Sequence, residues 1–404
     1  MDLGDGMLAS DGLTLHPGPA MADLAPHPTL HSIVSLQYDS KGITLGWSDA
    51  HSSRFHVLWL RDNCACAQCR HPQALERTYI FIDHAPPVLI SAKLDSGGDL
   101  EARFQQGTET HVSRFQQGWL RRHAPDDSHA GAVDLTPRPW NDRIADRLQR
   151  VNYDSYMNER DGVRAWITAL KVDGIVLLES VPQVAGQLLD VARRIGPVRA
   201  SNFGEYYDVI SMPEPNASAY TSMGLELHTD LANWRYPPDI QLLFCLKSTV
   251  TGGESVFGDG FRVAEELRTA DRTAFDLLTT QPVEYRFHDT HCDIRTSAPL
   301  IETDRDGRLQ RIRFNNWLRG ATVFPEALLE PMYTAIGKFW RMLREPEYQL
   351  HLRLRPGELI AYDNHRVLHG RAPFDASSGE RHLQGCYINQ EDVDSMLRMI
   401  DRPG

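Results

Sequence analysis

The chain has 404 residues, 41% of them hydrophobic and 24% charged, with a formal net charge of −12; it can bury a sizeable core and is long enough for two domains. Acidic residues are spread throughout and Lys and Arg form no run, which excludes a phosphate-tracking nucleic-acid stripe. No apolar run approaches the roughly 18–20 residues of a membrane span, and six cysteines, three of them within 64–69, do not make a secreted disulfide framework.

Residues 1–29 are rich in Pro, Gly, Ala and Asp and lack an apolar period, so they are expected to form a flexible extension. The first basic residue is Lys41, whereas targeting leaders carry early positive charge, and a cytoplasmic address is expected.

Residues 30–122 alternate in short stretches broken by Gly and Asp ("HSIVSLQYDSKGITLGW", "FHVLWLRDN", "RTYIFIDH", "LEARFQQGTETHVSRF") and predict a small β-rich domain. Within it, "LRDNCACAQCRHPQ" spaces Cys64, Cys66 and Cys69 tightly enough for one loop to aim three thiolates at a single ion. A fourth ligand would close a tetrahedral structural zinc site. The candidates are His56, His71, His84 and His111; chelation by His71 would strain the loop, and His111, at a strand edge of the same domain, is favoured.

Residues 123–156 turn polar and Pro-containing, the composition of a linker. Residues 157–404 mix helices and strands. Helical spacing covers 181–198, "GDGFRVAEELRTADRTAFDLLTTQP" and "FPEALLEPMYTAIGKFWRMLREP". Strands are predicted at "GIVLLESV", "IQLLFCLKS", "VEYRFH", "RIRFNN", "LIAYD" and "RHLQGCYIN". Helices flanking many non-adjacent strands suggest a double-sheet barrel buttressed on one face.

"LELHTDLANW" places His228 and Asp230 two apart, on one face of an extended segment. The pattern alone is cheap, since His291-Cys292-Asp293 repeats it. What distinguishes the first copy is its sequel: "IQLLFCLKSTVTGGESVFGDGF" reads as strand, Gly-Gly turn and strand, "LIAYDNHRVLHGRAPF" puts His369 after a further strand, and Arg381 follows in "GERHLQGCY". Two histidines and a carboxylate make the facial set of a non-haem Fe(II) site with open positions, and a buried arginine there would clamp a dicarboxylate. A hydrolytic metalloenzyme uses the same ligands but has less need of Arg381. A non-enzymatic zinc-scaffold ligand-binding protein would be natural only if an iron ligand were missing.

With "LWLRDNCACAQC", "LELHTDL", "IQLLFCLKSTVTGGESVFGDGF", "DNHRVLHGR" and "RHLQGCY" in order, the chain from about His31 resembles the gamma-butyrobetaine hydroxylase and trimethyllysine hydroxylase family of Fe(II)/2-oxoglutarate dioxygenases. The resemblance implies an α+β, mostly β protein: a double-stranded β-helix (jelly-roll) catalytic domain with buttressing helices, and a β-rich N-terminal domain whose zinc is held by Cys64, Cys66, Cys69 and His111. It implies Fe(II) on His228, Asp230 and His369, 2-oxoglutarate on Arg381 with Lys247 and Ser255 lining its pocket, O2 as co-reactant, ascorbate as an auxiliary reductant, and a homodimer.

Family members hold a trimethylammonium group in an aromatic cage, and the matching positions here are Phe203, Tyr207, Tyr220 and Tyr387, all aromatic. For the acid end the resemblance supplies Asn315; the second asparagine of the animal enzymes falls on Ala217 or its neighbour Asn216, leaving Asn216, Asn315, Asn316 and Arg295 or Arg319 as candidates. The implied reaction is hydroxylation of gamma-butyrobetaine to carnitine, with trimethyllysine or a trimethylaminoalkyl phosphonate as alternative substrates.

Overall fold

A computed structural model describes residues 27–125, 135–210 and 221–400; the extension expected at 1–29 lies almost wholly outside them. They form two compact units, one ending before residue 135 and one running from Leu135 to Ile400. Among the described residues no helix is long and apolar enough to cross a membrane.

In the first unit β1 (Ile33–Asp39), β2 (Gly42–Trp47) and β3 (Ser52–His56) form one antiparallel sheet, and β4 (Val88–Leu94), β5 (Leu100–Gln106) and β6 (Glu109–Phe115) form a second. Period-two alternation turns Leu100, Ala102 and Phe104 of β5 inward, where they join Ile43, Leu45, Phe55 and Trp119 in one core. Two segments depart from the strand reading. "FHVLWLRDN" leaves its strand at His56, whose Nδ1 accepts the Leu58 N–H and starts a helix over Val57–Asp62. "RTYIFIDH" makes only a 3-10 turn, Phe81–Asp83, with Ile80, Phe81 and Ile82 exposed; three apolar residues in a row give neither face of a strand an alternating set.

The second unit carries β7 (Arg150–Asn152), β8 (Ile175–Glu179), β9 (Tyr206–Val209), β10 (Leu225–His228), β11 (Ile240–Ser248), β12 (Thr251–Gly252) and β13 (Ser255–Asp259). The hairpins β14 (Val283–His288) with β15 (Asp293–Ala298) and β16 (Ile301–Thr303) with β17 (Leu309–Ile312) follow, and then β18 (Leu350–Leu352), β19 (Leu359–Asp363), β20 (Val367–Arg371), β21 (Phe374–Asp375) and β22 (Arg381–Ile388). Two sheets dominate, one ordered β7-β8-β19-β11-β22-β9 and the other β10-β20-β13-β18. From β9 the chain passes between them repeatedly, to β10, back to β11, across to β13, and later from β18 to β19, β20 and β22. That is the path of a jelly roll.

Alternation along the central strands makes three layers of core. Leu243 and Cys245 of β11 meet Phe257, Ile360, Tyr362, Val367 and Leu383 between the sheets. Leu242 and Phe244 point the other way, onto Val163, Trp166, Ile167 and Leu170 of the helix Arg160–Asp173. The outer face of the smaller sheet, with Leu227, Val256 and Leu368, packs on the helices Gly260–Ala270, Arg272–Thr280 and Glu326–Arg344. Helices therefore cover both outer faces, where buttressing of one was expected, because the central strands are apolar on both sides.

Smaller differences have local causes. The run after residue 259 breaks into two helices at Asp271, whose carboxylate caps the second through the Ala274 N–H. Of 181–198 only Gln187–Arg193 is helical. "RIRFNN" leaves its strand after Ile312, since Arg313 turns inward to the carbonyls of Ala232 and Trp234. The stretch from Leu135 to Tyr156, read as linker, is packed into the second unit: Trp140 donates from its backbone N–H to Asp259 and from its indole to the Asp173 carbonyl, and β7 pairs with β8.

Candidate metal centres and active site

In the first unit Cys64, Cys66, Cys69 and His111 converge. His111 Nε2 lies 3.2 Å from Cys64 Sγ and 3.7 Å from both Cys66 Sγ and Cys69 Sγ. Tetrahedral zinc would set such atoms about 3.5–3.8 Å apart, so the residues fit the ion. Hydrogen bonding to Cys64 and Cys66 pushes the His111 imidazole up to about 9, the response of a cluster that favours positive charge. The other candidate histidines are committed elsewhere: His56 caps a helix, His71 Nδ1 accepts the Gln73 and Ala74 N–H groups, and His84 stacks on Tyr79. Arg61 supports the cluster from behind, donating to Cys69 Sγ at 3.2 Å and to Gln106 at 2.7 Å, with its guanidinium 3.9 Å from the centre of the Tyr79 ring.

In the second unit the register of the smaller sheet builds another cluster. His228 of β10 pairs with His369 of β20, which pairs with Phe257 of β13. The three share one row, and Phe257 lies in the inter-sheet core, so both imidazoles point between the sheets. His369 thus sits inside its own strand rather than after one. Asp230 follows β10, with Oδ1 3.4 Å from His228 Nε2 and 3.7 Å from His369 Nε2. Octahedral ligands at about 2.1 Å would stand about 3 Å apart, so an ion can be shared with little movement. His228 Nδ1 lies 2.8 Å from the Glu226 carbonyl; donation there fixes the tautomer that leaves Nε2 free for a metal. His369 Nδ1 is buried without a hydrogen-bond partner among the described residues.

Burial, and then His228, push the His369 imidazole down to about 3, keeping it a neutral donor. For Asp230 burial acts upward, but His369, His228 and the Tyr387 hydroxyl more than offset it and hold the carboxyl well below its ordinary range. The backbone is clamped as well. Asn364 accepts the Asp230 N–H at 2.7 Å and donates to the carbonyls of Asp230 at 3.1 Å and Pro238 at 2.9 Å. Leu231, next in the chain, has φ 52°, a left-handed conformation that persists only where the surroundings over-determine it. The decoy His291 and Asp293 are held apart from this cluster on a hairpin, where Asp293 is ion-paired with Arg286.

The inward face of β22 carries Arg381, Leu383, Gly385 and Tyr387, at a period of two. Arg381 lines a cavity with Ile210, Lys247, Phe374 and His382. Burial lowers its guanidinium to about 10, and among the described residues no carboxylate pairs with it. The Gly-Gly turn passes close by: Gly252 and Gly253 have φ of 82° and 77°, and a Cβ on Gly253 would stand 3.4 Å from the Arg381 side chain. Lys247, at the rim of the cavity, is exposed and ion-paired with Glu380 at 2.6 Å. Ser255 is buried opposite Arg371.

Of the four aromatic positions, three are brought together. Tyr207 and Tyr387 have ring centroids 5.6 Å apart, and Phe203 follows at 6.4 Å from Tyr207. Tyr207 lies across Gly385, where any Cβ would come within 2.4 Å of its ring. Tyr220 and Asn216 lie outside the described residues. Phe287, 5.6 Å from Phe203, and Trp317, whose ring meets His228 edge-on at 5.4 Å, join the wall and were not anticipated; Phe287 stands on a hairpin away from the motifs, whereas Trp317 directly follows the candidate Asn316. Asn315 is buried with its amide engaged, donating to the Thr229 carbonyl and accepting the N–H groups of Trp317 and Leu318. Asn316 lines a small cavity with Tyr285, Phe314 and Arg319, and Arg295 is exposed on β15 opposite Arg286.

Residues 134–387 match the taurine catabolism dioxygenase TauD, TfdA family, and residues 34–121 match the gamma-butyrobetaine hydroxylase-like N-terminal family. The chain is 36% identical to the gamma-butyrobetaine dioxygenase of Pseudomonas sp. (strain AK-1) over 95% of its own length and 100% of the relative's. It is 30% identical to the Homo sapiens gamma-butyrobetaine dioxygenase, covering 88% of this chain and 93% of that one. With the mitochondrial trimethyllysine dioxygenase of Bos taurus it shares 28% identity over 86% and 83% of the two chains.

Proposed function

This chain belongs to the TauD, TfdA dioxygenase family and to its gamma-butyrobetaine dioxygenase relatives, and on that premise we infer that it is an Fe(II)/2-oxoglutarate-dependent dioxygenase that hydroxylates gamma-butyrobetaine to carnitine. The observation that carries the reading is a two-histidine, one-carboxylate cluster hydrogen-bonded to the aromatic row through Tyr387, with a half-buried arginine that has no carboxylate partner among the described residues on the same face of β22.

His228, Asp230 and His369 would hold Fe(II), a donor set that leaves room for a cosubstrate. The bound metal supplies oxidative decarboxylation of 2-oxoglutarate to succinate and CO2, one atom of O2 entering the substrate C–H bond. Arg381 receives the distal carboxylate of the cosubstrate, with Ser255 and Lys247 lining its approach. Phe203, Tyr207, Tyr220 and Tyr387 receive the trimethylammonium group through their ring faces. The walls, half-buried at Phe203 and Tyr207 and buried at Tyr387, would limit the access of water and fix one C–H against the metal. Asn216, Asn315, Asn316 and Arg295 remain the candidates for the acid group, and the engaged amide of Asn315 favours an indirect part for that residue, shaping the loop at Trp317. Structural zinc on Cys64, Cys66, Cys69 and His111, a homodimer, a cytoplasmic address and ascorbate as reductant complete the reading.

The test is succinate release on a panel of gamma-butyrobetaine, trimethyllysine and a trimethylaminoalkyl phosphonate. Gamma-butyrobetaine is expected to give the highest kcat/KM. Turnover of none of them would sink the cage assignment and favour a zinc-scaffold protein that binds a ligand without chemistry. Arg381→Met should raise the KM for 2-oxoglutarate by roughly two to three decades, the value of a charge-assisted pair of about 3–4 kcal/mol. An unchanged KM would remove Arg381 from the cosubstrate site.

A further inference from the structure

The two oxygens of Asp230 have different surroundings. Oδ1 faces both imidazoles, whereas Oδ2 accepts the Tyr387 hydroxyl at 2.7 Å. Tyr387 is also a member of the ring row, 5.6 Å from Tyr207, so one side chain touches both the metal carboxylate and the pocket for the cation. A carboxylate with both oxygens free can chelate, and it would then take a second coordination position. On the reading above, the metal would have to keep room for both 2-oxoglutarate and O2, which a second Asp230 oxygen would take up. The clamp of Asn364 on the Asp230 backbone and the left-handed turn at Leu231 fix where the carboxylate starts from, but not which oxygen it presents.

We propose that Tyr387 is a positioning residue that restricts Asp230 to coordination through Oδ1, keeping that second position open and tying the wall of the substrate pocket to the metal. The proposal rests on the Fe(II)/2-oxoglutarate reading above. Tyr387→Phe removes the hydroxyl and keeps the ring; Tyr387→Leu removes both.

The experiment is an anaerobic titration of each full-length protein, loaded with zinc and Fe(II), with 2-oxoglutarate, followed by the metal-to-cosubstrate absorption band. It is paired with the ratio of succinate to hydroxylated product on gamma-butyrobetaine. For Tyr387→Phe the dissociation constant of 2-oxoglutarate should rise by about tenfold, within the range of partners that orient metal ligands. The succinate-to-product ratio should rise as well, while the KM for gamma-butyrobetaine stays within about twofold. Tyr387→Leu should show the same loss and, in addition, a KM for gamma-butyrobetaine raised by about tenfold or more. Tyr387→Phe with the affinity and ratio of the unmutated protein would overturn the proposal and leave the function standing, as would Tyr387→Leu with an unchanged KM. An unmutated protein that gives neither band nor succinate would overturn the function itself, and the proposal with it.

Discussion

Replacement of His228 by alanine is expected to end turnover while zinc stays bound at the level of the unmutated protein. His228 is one of the three donors proposed for Fe(II), and a histidine and a carboxylate alone would not hold the ion against water and buffer. The loss should exceed the 10- to 100-fold cost of removing a partner that merely orients a metal ligand, reaching about a thousandfold or more. Zinc should be unaffected because the four residues proposed to hold it belong to the other unit and share no residue with this cluster. Elemental analysis for zinc and iron, set beside succinate release, checks both halves. Loss of zinc from this variant would mean that the roles of the two clusters have been confused.

The second large effect concerns stability. Cys66→Ser should remove zinc and lower the first calorimetric transition of the full chain. Zinc contributes about 10–16 kcal/mol of apparent folding free energy in small zinc folds, and the core of this unit is modest. A net loss of even about 3 kcal/mol corresponds to roughly 12–24 °C for a domain of this size. Arg61 would add to the loss, since its guanidinium, buried against Cys69 and Gln106, would face a disordered cluster. A variant that melts with the unmutated protein and still carries zinc would rule out the tetrahedral reading.

The two clusters were legible in the sequence for different reasons. Three cysteines within six residues advertise a metal locally, so only His111 had to be found, and β-pairing of β5 with β6 delivers it. His228 and Asp230 are cheap as a pair and gain meaning from distant residues in the right order. The strand pairing that brings His369 to them was not readable, because the register of β10 against β20, within one sheet, links positions far apart in the chain. For the same reason the Tyr387 hydroxyl, Asn364, Phe287 and Trp317 carried no signal: each acts through a contact between distant segments. Lys247 and Asn315 show the converse. The family resemblance made both plausible pocket groups, and only the structure reveals that one is engaged by Glu380 and the other by its own loop.

The inward row of β22 also acts as a ruler. Arg381 and Tyr387 lie on one face of one strand, and at about 3.3 Å per residue their separation is about 20 Å along it. If Arg381 anchors the cosubstrate and Tyr387 faces the substrate's cation, as proposed, that length sets how far apart the two stand along the strand. Because the strand reads in steps of two, inserting a single residue between them would turn one end toward the helices. Short of a β-bulge, such as the irregularity between Cys245 and Lys247 in the partner strand, such a site changes its reach by two residues at a time, so new substrates of intermediate length are more readily accommodated by the walls than by the spacing of the anchors.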